Sequence, residues 1–129
     1  MLKAKKSLGQ NFLKDETVIE RILTVADVQP EDKIFEIGPG TGILTGALDG
    51  RAKQVVAMEL DHQLVERLTK QFEVSEGVSI LEGNILEVNL NEMLSQAEFK
   101  SRKYKVVANI PYYITAPIIR TLLSLETQP

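Results

Sequence analysis

Cysteine and tryptophan are absent from the 129 residues, and only one histidine is present. Without cysteine nothing points to disulfides or an oxidising compartment, and with a single imidazole a zinc or iron site is not expected. The longest apolar runs, such as Val55 to Met58, are far too short to cross a bilayer. The basic start, Met1 to Lys6, leads into no apolar stretch of the kind that a secretory signal needs. We therefore expect a cytoplasmic protein with neither a membrane nor a metal partner.

The charge balance is mildly acidic, with a formal net charge of −3, and by itself suggests no nucleic acid. The charged side chains before Asp15 are nevertheless all lysines: Lys3, Lys5, Lys6 and Lys14. A basic arm on an acidic body is suited to contact phosphate groups. A solvated, frayed terminus would explain the same lysines equally well, so composition leaves both interpretations open.

Apolar periodicity predicts an α/β chain in which strands and helices alternate. Such alternation is typical of a parallel sheet with flanking helices and right-handed crossovers. The predicted strands span residues 33–37, 54–60, 78–81 and 104–108, and the second is apolar enough to be buried on both faces. Helices are predicted after Asp15, over Ile43 to Leu48, after Asp61 as N-cap, over Leu90 to Ala97, and from Thr115 with Pro117 in its first turn.

The end of the chain bears on how complete the domain is. In the last predicted helix, Ile118, Ile119, Leu122 and Leu123 form the inward face. Four parallel strands make a thin domain, so we expect an incomplete one, truncated after its fourth strand–helix unit. The fourth strand should then have an exposed, association-prone edge.

Three glycines stand where the first predicted strand turns into a helix, in the run Glu36-Ile37-Gly38-Pro39-Gly40-Thr41-Gly42. Glycine lets the backbone approach a ligand and adopt positive φ, and the helix N-terminus beyond offers unpaired N–H groups. Nicotinamide enzymes carry G-x-G-x-x-G at this place. Here the spacing is G-x-G-x-G, and Ile43 occupies the place of that motif's third glycine. A wider loop suits a ligand without a pyrophosphate, such as an amino acid attached to a nucleoside.

An acidic residue follows at the spacing expected for a nucleoside site. Glu59 ends the second predicted strand, about 20 residues past the glycines, where such sheets place a carboxylate on ribose hydroxyls. One carboxylate can accept hydrogen bonds from both hydroxyls of a ribose. A glycine-rich turn alone can be no more than a tight connection, but with Glu59 in register a nucleoside cofactor site is the better interpretation.

A second turn, Asn109-Ile110-Pro111-Tyr112, follows the fourth predicted strand. In doubly wound sheets strands one and four flank the point where the strand order reverses, and ligands bind there at the carboxyl ends. The glycine loop and this turn should therefore face each other across one crevice. An asparagine–proline turn that simply ends a strand is the alternative.

The turn has the groups needed to methylate the exocyclic amine of adenine. That amine is a poor nucleophile because its lone pair is delocalised into the ring, and acceptors for its N–H groups would aim the lone pair at a methyl donor. Asn109 has a side-chain carbonyl, Pro111 holds neighbouring carbonyls outward, and Tyr112 offers a face on which an extruded base can stack. Displacement at a sulfonium methyl depends on positioning and needs no strong general base.

The chain resembles the N-terminal part of the ribosomal RNA adenine N6,N6-dimethyltransferases. The resemblance covers essentially the whole chain and rests on three separated segments, Lys6 to Leu13, Glu36 to Gly42 and Asn109 to Thr115. It implies a Rossmann-like class I S-adenosylmethionine methyltransferase fold, with S-adenosyl-L-methionine as cofactor and S-adenosyl-L-homocysteine as product. It further implies dimethylation of the N6 amino group of adenosines in small-subunit ribosomal RNA during ribosome biogenesis. The implied partner is the immature small ribosomal subunit, and the full-length protein is expected to be a monomer.

The resemblance also implies roles for individual residues. A basic arm over residues 1–14 would contribute Asn11 and Leu13, which close over a cofactor held by a partial domain over residues 15–129. Within that domain the implied cofactor-binding residues are Gly38 at the methionine part, Glu59 on the ribose, Asn84 near the adenine ring and Asn109 beside the methyl group, together with Gly40 and Gly42 of the glycine loop. The implied catalytic residues are Asn109, Pro111 and Tyr112.

The chain departs from the family pattern in two respects. Aspartate is common in the family at the place of Asn84, and an uncharged amide there should reduce cofactor affinity. The family's later strands, its distal aromatic clamp for the base and its C-terminal helical domain are not in this sequence. We therefore expect the fragment alone to be inactive.

Four other functions remain as alternatives. One is a large-subunit RNA adenine methyltransferase of the macrolide-resistance type, and another is a non-catalytic RNA-binding assembly or transcription factor on the same fold. A nicotinamide oxidoreductase is disfavoured by the glycine spacing. Methyltransferases for DNA or protein glutamine typically read Asn-Pro-Pro-Tyr, so Ile110 disfavours them. His62 is expected on a solvated face, and for Arg120 solvation and contact with RNA phosphate are equally good interpretations.

Overall fold

The structure is a computed structural model that describes residues 16–108 and 112–129, with the side chains of residues 112–114 left out. In these ranges helices and strands alternate as predicted. The helices are α1 (Glu16–Val25), α2 (Ile43–Leu48), α3 (His62–Gln71), α4 (Leu90–Gln96) and α5 (Tyr112–Leu123). The strands are β1 (Lys33–Ile37), β2 (Gln54–Glu59), β3 (Val78–Glu82) and β4 (Lys105–Ala108).

The four strands form one parallel sheet in the order β3-β2-β1-β4. β1 is an inner strand of this sheet: β2 and β3 lie on one side of it and β4 lies on the other. In register, Ile37 at the end of β1 lies opposite Met58 of β2 and Ala108 of β4. The strand order therefore reverses between β1 and β4, as predicted for a doubly wound sheet.

Apolar side chains from both faces of the sheet form two core clusters. On one face Ile34 and Val55 pack with residues of α1, α2 and α3, among them Leu44 and Leu68. On the other face Phe35 and Val56 pack with α4 and α5, including Leu90, Leu94, Ile118 and Leu122. Residues Val55 to Glu59 of β2 are all buried, which confirms the prediction that this strand is covered on both faces.

The start of α5 was predicted wrongly. The helix begins at Tyr112 and not at Thr115, so Pro117 is its sixth residue and lies outside the first turn. Proline has no amide hydrogen and so cannot donate to the carbonyl four residues earlier, which is why a first-turn position was expected. The carbonyl of Pro117 accepts from Thr121 Oγ1 at 2.9 Å, so the helix continues past it with an additional side-chain bond.

The inward face of α5 is also narrower than predicted. Ile118 and Leu122 are buried, but 49% of Ile119 and 60% of Leu123 is exposed. The physical reason is that α5 packs near β4, which is an edge strand among the described residues. The sheet beneath the helix is therefore wide enough to cover only one row of its side chains. Among the described strands β4 pairs with β1 alone, so the other edge of β4 has no strand partner there.

None of the helices in the described ranges has the length and apolar character needed to span a membrane.

Candidate active site

The glycine loop leaves β1 in a conformation that requires glycine. Gly38, Gly40 and Gly42 have φ of 73°, 59° and 84°, the left-handed region in which other residues are strained. The amide of Gly38 donates to Met58 O at 2.9 Å, which extends the β1–β2 pairing by one residue. The amide of Gly42 donates to Pro39 O at 2.9 Å and closes a tight turn before α2.

Gly42 has a packing role as well as a conformational one. A Cβ atom there would lie 2.8 Å from Leu68 Cδ2 and 3.0 Å from Phe72 Cε2, so α2 and α3 approach each other over a bare backbone. Close packing is also the role of the third glycine in the nicotinamide motif. That glycine would stand one residue after Gly42, where this chain has Ile43. A Cβ atom at Gly40, by contrast, would meet nothing within 4 Å and would project into open space.

Glu59 links this loop to the end of β2. Its side chain is buried, Oε1 accepts from the amide of Gly40 at 3.1 Å, and Oε2 accepts from the amide of Asp61 at 2.9 Å. Each carboxylate oxygen has a second lone pair. The carboxylate therefore holds the glycine loop in place and can still accept from two hydroxyl groups. Asp61 caps α3 as predicted, since its Oδ1 accepts from the amide of Gln63 at 2.9 Å.

Glu36 is a buried carboxyl group of β1 that is not among the predicted site residues. It is 1% exposed and accepts a 2.6 Å hydrogen bond from Thr45 Oγ1 on α2. Burial raises the pKa of Glu36 to about 7, and the negative charge of Glu59 adds to the rise. Near neutral pH this carboxyl is thus close to half protonated. The signal in the sequence was an acidic residue inside the apolar run from Ile34 to Ile37.

Asn84 lies two residues beyond β3, on the same edge of the sheet as Glu59, because Glu59 and Glu82 are paired in register. Its Oδ1 accepts from the amide of Leu86 at 2.9 Å, which holds the side chain in a local turn. One lone pair of that oxygen and the amide hydrogens remain for a ligand.

β4 ends at the same edge of the sheet as β1, the strand that the glycine loop follows. Ile37 and Ala108 are paired, so these two strand ends lie side by side, about 4.8 Å apart in such a sheet. Asn11, Leu13, Asn109 and Pro111 lie outside the described residues, as does the side chain of Tyr112. The described residues bring Gly38, Gly40, Gly42, Glu59 and Asn84 to one edge.

His62 is exposed as predicted, but it is engaged in ion pairs. Its Nδ1 lies 2.8 Å from Glu82 Oε1 and its Nε2 lies 3.0 Å from Glu66 Oε1. The hydrogen bond and charge of Glu82, together with the charge of Glu66, raise the pKa of His62 above its usual 6.5. Among the described residues, no group of three or more acidic or histidine side chains is arranged to hold a metal ion.

Curated proteins of known name are similar to this chain over nearly all of its length. It is 44% identical over 128 residues to the ribosomal RNA small subunit methyltransferase A of Dehalococcoides mccartyi, an alignment that covers 99% of this chain and 43% of that protein. It is 42% identical to the protein of the same name from Pediococcus pentosaceus, over 95% of this chain and 41% of that one. The chain thus spans less than half the length of these relatives.

Solved structures share the fold. A dimethyladenosine transferase from Plasmodium falciparum superposes with a TM-score of 0.68 at 27% identity, over 87% of this chain and 38% of that one. The 23S rRNA methyltransferase ErmE superposes with a TM-score of 0.72 at 28% identity, over 91% and 44%. These neighbours confirm the predicted Rossmann-like class I methyltransferase fold. The family model described as ribosomal RNA adenine dimethylase matches residues 1–129, and the chain belongs to that family.

Proposed function

We propose that this chain forms the cofactor-binding part of an S-adenosylmethionine-dependent enzyme that dimethylates the N6 amino group of adenosines in small-subunit ribosomal RNA. The observation that carries the proposal is the pairing of Ile37 with Ala108. Because the glycine loop follows Ile37 and residue 109 follows Ala108 in the sequence, we place a cofactor on the glycine loop beside a base held by residues 109–112.

The residues at this edge fit S-adenosylmethionine. The open space at the Cβ position of Gly40 leaves room for a ligand against bare backbone, and the spare lone pairs of Glu59 suit ribose hydroxyls. Gly38 and Gly42 complete the loop at the methionine part, Asn84 faces the adenine ring, and Asn109 lies beside the methyl group. We place residues 1–14 over the cofactor as a basic arm, with Asn11 and Leu13 closing the site, and residues 15–129 as part of the cofactor domain.

The 109–112 turn acts on the base. S-adenosylmethionine supplies an electrophilic methyl group on a sulfonium sulfur. The side-chain carbonyl of Asn109 and the backbone carbonyl beside Pro111 accept from the adenine amine and direct its lone pair, while Tyr112 stacks on the ring. Orientation of the amine towards the methyl group is the main contribution of these residues to the rate.

Small-subunit RNA is favoured over large-subunit RNA as the substrate. The relatives named for the small subunit are 40–44% identical to this chain, whereas the 23S rRNA methyltransferase ErmE is 28% identical. The partner we propose is the immature small ribosomal subunit, which places the protein in the cytoplasm. The full-length enzyme is proposed to act as a monomer.

Two alanine variants test the cofactor site by calorimetry with S-adenosylmethionine. Gly40→Ala places a methyl group in the proposed cofactor space, and we expect affinity to fall by about tenfold or more. Gly50→Ala is the matched control, because Gly50 also has positive φ and nothing within 4 Å of its Cβ position, but lies in the turn after α2. Equal affinities for the two variants would contradict the proposed site, as would tighter binding of reduced nicotinamide dinucleotide.

Methyl transfer tests the second half of the proposal. A chimera in which this chain replaces the matching part of a full-length relative should methylate immature small ribosomal subunits. Asn109→Ala in the chimera should abolish most transfer while cofactor binding persists. Transfer at the rate of the unaltered chimera would refute the role of Asn109.

A further inference from the structure

Positive charge is concentrated between α4 and β4, away from the proposed site. From residue 99 to residue 125 the chain contains no acidic residue, although its overall net charge is −3. Within this stretch Lys100, Ser101, Arg102 and Lys103 form an exposed loop, here called the basic loop (residues 100–103). No ion pair joins its three cations to any residue in the described ranges, whereas the nearby Lys105 is bound to Asp32 at 2.8 Å.

The basic loop is held at both ends by buried aromatic residues. Phe99 and Tyr104 are 2% and 6% exposed, and their ring centroids are 5.2 Å apart. Tyr104 Oη donates to Thr127 O at 2.6 Å, and the amide of Arg102 donates to Gln128 O. The loop is therefore fixed before any partner binds, which lowers the entropy lost when its cations bind a ligand.

Arg102 lies in the middle of the basic loop, in a backbone conformation that arginine rarely adopts. Arg102 has φ of 59°, a left-handed conformation that glycine or asparagine adopts at lower cost. Loop geometry alone would be better served by one of those residues. The side chain of Arg102 is exposed and has no ion pair in the described ranges, so the guanidinium group is available to bind an anion.

The surroundings of the loop offer space as well as charge. A surface depression of about 440 Å³ beside it is lined by Lys33, Ser95, Glu98, Phe99 and Lys100. Lys33 Nζ lies 5.8 Å from the centre of the Phe99 ring and donates to the carbonyl of Glu98, so a second cation borders the depression. The Glu98 carboxylate is the one acidic group in this lining.

We propose that the basic loop binds phosphate groups of the ribosomal RNA at the amino ends of the strands, opposite the edge where the methyl group is transferred. This inference rests on the proposed function for the identity of the RNA. The four residues of β4, roughly 13 Å of strand, lead from the amino end beside the basic loop to the edge at Ala108. An RNA backbone spans that distance with a few nucleotides. Phosphate contacts of this kind fix orientation and do not read sequence.

RNA binding by the chain, measured by fluorescence anisotropy against salt, tests the inference. The probe is a labelled fragment of small-subunit ribosomal RNA. The triple variant Lys100→Gln, Arg102→Gln, Lys103→Gln should bind about tenfold or more weakly at 0.1 M salt, with a log–log salt slope reduced by about 2. The matched control is Arg21→Gln, Arg67→Gln, Lys70→Gln, which removes the same charge from exposed positions on α1 and α3 and should bind as the unaltered chain does.

A single substitution separates charge from loop structure. Arg102→Asn suits the left-handed backbone, so its thermal midpoint should not fall, while RNA affinity should drop about threefold or more. Lys100→Arg with Lys103→Arg retains the charge and should retain affinity.

Three results would overturn the inference: equal losses in the two triple variants, no measurable RNA binding by the unaltered chain, or binding of polyglutamate in place of RNA. The proposed function is tested separately, by cofactor calorimetry and methyl transfer. Neither measurement depends on the basic loop, so failure of the one proposal can be distinguished from failure of the other.

Discussion

Alanine at Gly42 tests the packing that positions the glycine loop. The substitution has two costs. The left-handed φ of 84° costs an alanine about 1 kcal/mol. The added Cβ would also lie 2.8 Å from Leu68 Cδ2 and 3.0 Å from Phe72 Cε2. Both contacting side chains are buried, so neither can move away freely, and such overpacking costs about 2 kcal/mol. The expected loss in the free energy of unfolding is therefore about 3 kcal/mol.

Comparison with Gly50→Ala isolates the second cost, because that variant carries only the first. Gly50 has nearly the same φ, 85°, but nothing lies within 4 Å of its Cβ position. Its loss should be about 1 kcal/mol, and any effect of alanine on the unfolded chain is common to both variants and cancels. The assay is urea unfolding followed by circular dichroism, with equal slopes required for the comparison. Equal losses for Gly42→Ala and Gly50→Ala would refute the account of α2 packed against α3 over bare backbone.

Three further predictions concern single side chains at or near the site. Asn84→Asp keeps the acceptor for the amide of Leu86 and adds charge, so cofactor affinity should rise about fivefold, whereas a fall would remove Asn84 from the site. His62 is the chain's one histidine, and its NMR titration should give a pKa above 6.5 that Glu82→Gln lowers. Its contribution to stability is present below pH 6.5 and lost as pH rises through the raised pKa, so an unshifted pKa would show that the ion pairs are not formed. Because the pKa of Glu36 is raised to about 7, folding binds a proton between pH 4.5 and 7, and stability should fall by up to about 3 kcal/mol as pH rises through that window. Glu36→Gln keeps the bond from Thr45 and should flatten this dependence, while an unchanged pH profile would contradict the burial of the charge.

Local patterns predicted the elements that carry the site. The apolar run of β2 and the glycines after β1 gave the correct strands and turn, because burial on both faces and positive φ leave strong local signals. Asp61 was identified as a cap for the same reason, since capping needs one side chain and the amides two and three residues later. The parallel sheet was predicted from the alternation of strands and helices, and the reversal of strand order between β1 and β4 from doubly wound topology.

The errors arose where neighbours distant in sequence decide the outcome. The exposure of Ile119 and Leu123 depends on how many strands lie beneath α5, which the periodicity of one helix does not contain. Pro117 was assigned to a first turn from a preference for that position, yet α5 begins three residues earlier, directly after Pro111. The raised pKa of Glu36 depends on burial beneath α2 and on the charge of Glu59, which lies on the neighbouring strand, so the local sequence pattern could not predict it.

Amide chemical shifts of the isotopically labelled chain, recorded with and without S-adenosylmethionine, test the central claim most directly. If the glycine loop and the 109–112 turn share one cleft, the resonances of Gly38, Gly40 and Asn109 should shift together on titration. Those of Lys53 and Lys103, at the amino ends of the strands, should stay in place. Shifts confined to the amino ends, or an unaffected Asn109 beside a shifting glycine loop, would contradict the account.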